Sequence, residues 1–378
     1  MKDLRDILAR AKQLETEQKS YAIATIVGTT GSTYRGIGSR MLIEQDRTTG
    51  VISGSCLEDD LQNSAQRVIR HNNPELIEYD YTKKDDYLFG TGMGCSGQLQ
   101  IMLTPMPSKN GQHIITTLEN VIENKNHKIL ITIIDSEKHS TFSTADTFSF
   151  SSQRIHNLPE ELRSSIHDFL QQIPICNNGS IRSFRKTFNG IKTLLEIFSP
   201  PMTLTVFGSG DDSKPLIKNG IDLGWELQLV DHRPAMANIS RFPNVKKIYC
   251  APAGQWPHEL KIPLNSAAVV MSHNYLQDQA MLKKLLTLPL TYLGVLGSHK
   301  RNKKLFAELE KNGIFPTNPK NLYSPAGLDL GGDCPQAIAL SIIAEIHKTI
   351  YDASADSISR NQGPIHNRKQ HSNQSLVN

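Results

Sequence analysis

Residues 28–40 read Gly-Thr-Thr-Gly-Ser-Thr-Tyr-Arg-Gly-Ile-Gly-Ser-Arg. Glycines let backbone N–H groups turn toward an anion, and the guanidinium groups of Arg35 and Arg40 add charge-assisted donors. Gly31, Ser32, Arg35 and Arg40 are therefore candidate anion ligands. The run is not a P-loop, because no Gly-Lys-Ser/Thr closes it. Two cysteines stand beside similar turns. Cys56 follows Gly54-Ser55 at the start of a helical stretch, and Cys95 follows Gly94 within Gly-Met-Gly-Cys-Ser-Gly. A thiol near a helix N-terminus or among free N–H groups is favoured as thiolate, the nucleophilic and metal-binding form. The plainer use of either cysteine is as a small residue in a crowded turn. Cys95, between Gly94 and Ser96-Gly97, has the least bulk around it and is the stronger candidate.

A second set of motifs lies further along, each directly after an apolar run. Residues 204–207 lead into Gly208-Ser209-Gly210-Asp211-Asp212-Ser213. Such a turn lets the chain pass tightly from strand to helix and presents backbone donors at the helix start. Asp231 ends the next strand 21 residues after Gly210, where a Rossmann fold contacts a ribose hydroxyl. Against a dinucleotide, Ser213 stands at the third glycine position, and Asp211 and Asp212 place negative charge where phosphates would lie. His273 and Asn274 follow the run 267–271, and Gly297-Ser298 follows 292–295. All sit at strand carboxyl ends, where open α/β folds bind ligands. Residues 327–333 form a glycine-rich loop before the last helix, with Asp333 as its expected N-cap and Pro335 in its first turn.

These residues need two different frames. Apolar residues at Leu4, Ile7, Leu8 and Ala11 predict an opening helix. A helix over 113–123 and a strand over 128–134 follow the glycine-rich stretches. Strands over 181–188 and 192–198 flank Asn189-Gly190, the strongest short hairpin signal. Pro200-Pro201 punctuates the chain. Beyond it, strands at 204–207, 226–230, 267–271 and 292–295 alternate with helices, and a long helix covers 334–350. That alternation predicts a parallel sheet with helices on both faces. The expected fold is α/β, with a mixed N-terminal domain (1–199), a Rossmann-like doubly wound domain (200–351) and a polar tail (352–378) expected to be disordered.

With 378 residues, each domain can bury its own core. Apolar residues make up 38% and charged residues 21%, and the net charge is +4. Basic residues are dispersed, which argues against a nucleic-acid partner. No apolar stretch approaches the ~18 residues of a membrane span, and the start lacks a signal peptide's apolar core. The expected compartment is the cytoplasm. Five cysteines without a C-x-x-C pair suit reducing conditions and form no zinc pattern.

Taken in order, the segments resemble the XdhC/CoxI family of xanthine dehydrogenase accessory proteins. The resemblance rests on Gly31-Ser32-Thr33-Tyr34-Arg35, Gly38-Ser39-Arg40-Met41-Leu42, Gly54-Ser55-Cys56-Leu57-Glu58 and Gly92-Met93-Gly94-Cys95-Ser96-Gly97. It continues through Gly208-Ser209-Gly210-Asp211-Asp212, Val230-Asp231-His232-Arg233-Pro234, Ser272-His273-Asn274, Gly294-Val295-Leu296-Gly297-Ser298 and Gly327-Leu328-Asp329-Leu330-Gly331. The sequence departs from the family at Tyr34 (usually proline), Ser55 and Ser96 (usually glycine) and Gly332-Asp333-Cys334 (usually Ala-Glu-Thr). The resemblance implies a factor that binds molybdenum cofactor (molybdopterin) as cargo. It would protect that cargo while a cysteine desulfurase supplies sulfur, and deliver it to an apo-hydroxylase of the xanthine dehydrogenase type. Two rivals remain. One is a nicotinamide-dependent oxidoreductase using NAD(P) at the Rossmann-like half, with His273 as a candidate base. The other is a regulatory protein that senses a nucleotide. A homodimer is expected on general frequency alone.

Overall fold

In the computed structural model, the described residues are 1–31, 33–53, 57–80, 97–136, 142–150, 158–173, 181–264 and 266–360. Ser32, Gly54, Cys56, Gly94 and Cys95 lie outside them, as do residues 361–378 of the expected tail.

The chain opens with α1 (Lys2–Thr16), whose Leu4, Ile7, Leu8, Ala11 and Leu14 form one buried stripe. Then come β1 (Tyr21–Thr30), β2 (Arg40–Ile43), β3 (Thr48–Gly50), α2 (Glu58–His71), β4 (Glu75–Asp80) and β5 (Gln98–Met106). These strands form an antiparallel sheet in the order β3-β2-β1-β5-β4. β1 is buried on both faces. Ile23 meets α1 and α3 (Lys109–Ile122), while Ala22, Ala24 and Ile26 meet Leu61, Ala65 and Val68 of α2. Burying an aliphatic side chain of this size contributes about 1.5–3 kcal/mol, so β1 is the spine of this half. The helix expected from 113 begins four residues earlier, because the Ser108 hydroxyl caps it by accepting from the Gly111 N–H at 3.0 Å.

A second antiparallel sheet, ordered β7-β6-β9-β8, completes the first domain. It contains β6 (Lys128–Asp135), β7 (Thr147–Phe150), β8 (Ile181–Phe188) and β9 (Ile191–Phe198), with α4 (Glu160–Gln171) against it. Asn189 and Gly190 both have left-handed backbone, φ 50° and 84°, and pair Phe188 with Ile191. This is the tight hairpin that the Asn-Gly pair predicts.

The second domain runs β10 (Thr203–Phe207), α5 (Ser213–Asp222), β11 (Glu226–Asp231), β12 (Lys247–Cys250), β13 (Ala267–Val270) and α6 (Tyr275–Leu285). It continues with β14 (Tyr292–Val295), α7 (His299–Lys311), β15 (Leu322–Tyr323) and α8 (Pro335–Tyr351). All six strands are parallel, ordered β12-β11-β10-β13-β14-β15. α5 and α8 cover the face carrying Leu204, Val206, Ala267 and Val269, and α6 and α7 cover the face carrying Phe207, Val230, Ala268 and Val270. The sheet is doubly wound, and strand order reverses between β10 and β13. One expectation is corrected: Cys334, not Asp333, occupies the N-cap of α8, with no side-chain cap bond, and Pro335 takes the first helical position.

The domains meet through α1. Arg5 donates to the Trp225 carbonyl at 3.5 Å and lies 3.8 Å from Glu226, which Lys125 also contacts. A Cβ at Gly224 would stand 2.6 Å from the Lys2 nitrogen, so the approach requires glycine. This contact is at the amino end of β11, opposite the end where the second domain's motifs gather.

Candidate functional site

The carboxyl ends of β10, β11, β13 and β14 bring together Gly208, Gly210, Asp231, His273, Asn274, Gly297 and Ser298. Each has an identifiable local task. Gly208, at φ +118°, donates its N–H to the Val230 carbonyl at 2.8 Å, and a Cβ there would stand 2.5 Å from the Met271 carbonyl oxygen. Any side chain would wedge β10 from β13 at the point of reversal. The Ser213 hydroxyl donates to the Gly210 carbonyl at 2.7 Å, so this residue closes the turn that a third glycine would otherwise relax.

Asp231, expected to face a ribose hydroxyl, is 2% exposed and its acceptor positions are filled. Oδ2 accepts from the Ser209 N–H (2.7 Å), the Ser209 hydroxyl (2.8 Å) and the Arg233 guanidinium (2.9 Å). Oδ1 accepts from the Arg233 N–H at 2.9 Å and its Nε at 3.0 Å. Burial pushes this carboxyl up, but the bonds from Arg233 and Ser209 outweigh it and hold it well below the usual carboxylate range. Asp231 therefore clamps the turn, and the ribose reading of it is corrected.

The acidic turn is compensated. Asp211 pairs with Lys214 at 2.7 Å and Arg241 at 2.8 Å, bonds that lower its pKa. Arg241 also donates to the Ser209 carbonyl at 3.2 Å. Asp212 Oδ2 lies 2.6 Å from His273 Nε2. His273 has φ +58°, rare for a residue with a side chain, and its side chain is 64% exposed. Asn274 caps α6 by accepting from the Gln277 N–H at 3.1 Å. Ser298 caps α7 by accepting from the Arg301 N–H at 3.3 Å, after Gly297 at φ +135°. Beneath them the buried Asp278 joins the two turns, accepting from the Ser272 hydroxyl at 2.5 Å and from Arg301 at 2.6 Å. Asp212, Asp278, Arg233 and Arg241 belong to this network although the sequence does not single them out as site residues; Arg233, two residues after β11, and Asp212, in the turn after β10, carry a positional signal, whereas Asp278 inside α6 and Arg241 in the long β11–β12 connection carry none.

Glu345 of α8 anchors the loop after β15, accepting from the Tyr292 hydroxyl at 2.7 Å and the Gly327 N–H at 2.8 Å. Burial first, then the Glu345 charge, pushes the Tyr292 phenol well up. Residues 329–334 of that loop are exposed.

The first domain's arginines lie elsewhere. Arg35 pairs with Asp3 at the start of α1, beside the amino end of the parallel sheet. Arg40 is corrected outright as an anion ligand. Its side chain is wholly buried, bridging both carboxylate oxygens of Glu196 and donating to the Gly38 carbonyl at 3.0 Å. Gly31 remains exposed, with φ 72°. A five-residue strand spans roughly 17 Å. Arg35 and the carboxyl-end cluster thus sit at opposite ends of the second domain's sheet and cannot grip one small ligand in one chain.

Among the described residues, no group of three or more His, Cys, Asp or Glu converges to hold a metal ion. No helix among them is long and apolar enough to cross a membrane.

Residues 14–80 match the XdhC and CoxI family, and residues 204–346 match the XdhC Rossmann domain. The chain is 30% identical over 334 residues to a probable xanthine dehydrogenase subunit of Bacillus subtilis (strain 168), covering 88% of this chain and 94% of that one. An uncharacterized protein of Escherichia coli (strain K12), YqeB, is 26% identical over 144 residues, 38% of this chain and 26% of that protein. A crystal structure of a xanthine dehydrogenase from Bacillus halodurans superposes with a TM-score of 0.70 at 25% identity, covering 94% of this chain and 96% of that one.

Proposed function

The chain belongs to the XdhC and CoxI family, and from that premise we propose that it is an accessory factor for a xanthine dehydrogenase-type molybdenum hydroxylase. In this reading it binds the molybdenum cofactor as cargo, shields it while a cysteine desulfurase supplies sulfur, and passes it to the apo-hydroxylase. The observation that carries the proposal is the similarity along 88% of the chain to a protein named for xanthine dehydrogenase. It spans both domains, so it concerns the arrangement as a whole and not a shared Rossmann core.

The crevice chemistry supports a carrier over the rival oxidoreductase. A dinucleotide site needs an open acidic acceptor for ribose and unengaged donors for pyrophosphate. Here Asp231 is saturated, and the Ser209 N–H is already spent on it. Cargo that must be released needs a site without a covalent anchor, formed by polar groups at an accessible rim.

The test is to purify the full chain with and without co-expressed cofactor biosynthesis, oxidise any bound pterin and read its fluorescence. Loaded protein should then activate apo-hydroxylase with added desulfurase. Stoichiometric pterin and transfer are the expected results. A bound nicotinamide, or a preparation that neither holds pterin nor activates the hydroxylase, would sink the proposal.

A further inference from the structure

At the reversal of strand order, three strand ends contribute charged groups, and nearly all of that charge cancels locally. Asp211 is met by Lys214 and Arg241 and Asp231 by Arg233, while Asp212 has the hydrogen bond to His273. At the reversal itself no cation among these groups is left over to hold a polyanion; the exposed Lys300 belongs to the neighbouring turn that starts α7. What the reversal offers is an oriented acceptor. In the neutral ring, the Asp212 carboxylate, 2.6 Å from Nε2, favours the proton on that nitrogen and so leaves the lone pair on Nδ1. Among the described residues Nδ1 has no hydrogen-bond partner. The pair bridges the β10–α5 and β13–α6 turns, which flank the place where open α/β sheets take ligands. His273 holds this position at φ +58°, a conformation with a steric cost that the surrounding network must offset.

We propose that His273, oriented by Asp212, is the recognition residue for a ring lactam, accepting the ring N–H at Nδ1. The 2-amino-4-oxopyrimidine edge carries such an N–H, and two sources supply it: a pterin and a guanine nucleoside. The inference builds on the cargo reading, because it makes the pterin ring, and not its phosphate, the part held at the carboxyl end of the parallel sheet. Asp212 is a positioning residue, and His273 makes the contact.

The experiment measures binding of free pterin, guanosine and 3-methylpterin, which lacks the lactam N–H, to the full chain by fluorescence and calorimetry. Wild-type protein should bind pterin at least about tenfold more tightly than 3-methylpterin. His273→Asn suits the left-handed backbone and should bring that ratio close to one with an unchanged melting temperature. Asp212→Ala should lower the ratio in the same direction. Asp212 makes no side-chain cap bond to α5, so its loss does not remove a cap. Equal binding of both pterins by wild type, or an undiminished ratio in folded His273→Asn, would overturn the proposal. Selective binding of guanosine alone would keep the dyad and refute the cargo reading. Selective binding of pterin alone supports both. Binding of neither ring removes the dyad as a lactam site, while the cargo reading still stands or falls on cofactor capture and transfer.

Discussion

The loop at 28–40 and the turn at Gly208–Asp212 look alike as strings of glycines, hydroxyls and charges, yet the fold uses them differently. In the second domain, the partners of the turn come from the end of the neighbouring strand and the connection that follows it: Asp231 is 22 residues from Ser209, and Arg241 is 30 from Asp211. Parallel topology returns each strand end to the same rim, so residues that follow strands become neighbours by construction. In the first domain, Arg40 finds Glu196 at a separation of 156 residues, across two sheets. Nothing local announces that contact. A glycine-rich loop with arginines is thus a dependable guide to a site only where topology dictates what gathers beside it.

The most severe way to break this comparison is at Arg40. Arg40→Ala leaves the Glu196 carboxylate buried without its partner, which should destabilise the fold by about 3–5 kcal/mol. Denaturant unfolding would register it directly. Replacing both residues, as Arg40→Met with Glu196→Leu, should recover most of the loss, since a buried pair is often replaceable by apolar volume. A fully stable Arg40→Ala protein would mean that the pair is not buried as described, and would return Arg40 to the surface-anion reading.

Much of this architecture is legible in the chain. The strand expected at 292–295 is observed at Tyr292–Val295, and the Asn189-Gly190 hairpin is a two-residue turn. Both signals are local: an apolar run bounded by turn residues, and a dipeptide that tolerates positive φ. The edge strands β12 and β15 leave no such mark, because one is half exposed and the other only two residues long, so neither shows burial periodicity. Residue type favours Asp333 as the cap of α8, but the chain enters the helix one residue later, where Pro335 supplies the first turn. At the site, glycines and strand ends are readable, whereas the pairing of Asp212 with His273 depends on the separation of two turns that only the folded sheet sets.

An intermediate effect is expected at Asp231. Asp231→Asn keeps the shape but weakens the bonds from Ser209 and Arg233, costing about 1.5–3 kcal/mol near neutral pH. Its pH dependence carries a sign. The folded carboxyl is held below its unfolded value of about 3.9, so its contribution is complete above about pH 5. It fades as pH falls through the depressed folded value. The stability gap between wild type and Asp231→Asn should therefore be flat from neutral pH to about pH 5 and close only in strong acid. A gap that closes near neutrality would mean that Asp231 is not the clamp of the turn.

The smallest effect on stability, and the one that sharpens the contrast most, is expected at Arg35. Its pair with Asp3 is exposed, at 39% and 40% side-chain accessibility, so Arg35→Ala should change unfolding free energy by no more than about 1 kcal/mol. Such a pair is also weakened by salt, and the small loss should shrink further at high ionic strength. Stability and binding therefore separate at this residue as they cannot at Arg40, where any loss of binding would be confounded with unfolding. If the loop at 28–40 holds an anion at a site of its own, Arg35→Ala should weaken phosphate binding roughly tenfold or more while melting within a few degrees of wild type. That loss should be independent of His273→Asn, because Arg35 and His273 sit at opposite ends of the parallel sheet and distant substitutions add. Strong non-additivity between the two would mean that one ligand touches both, which a single chain's geometry forbids and a second chain would have to supply. Unchanged affinity in Arg35→Ala would leave the glycine loop as architecture, and the carboxyl-end rim as the part of this molecule that meets a ligand.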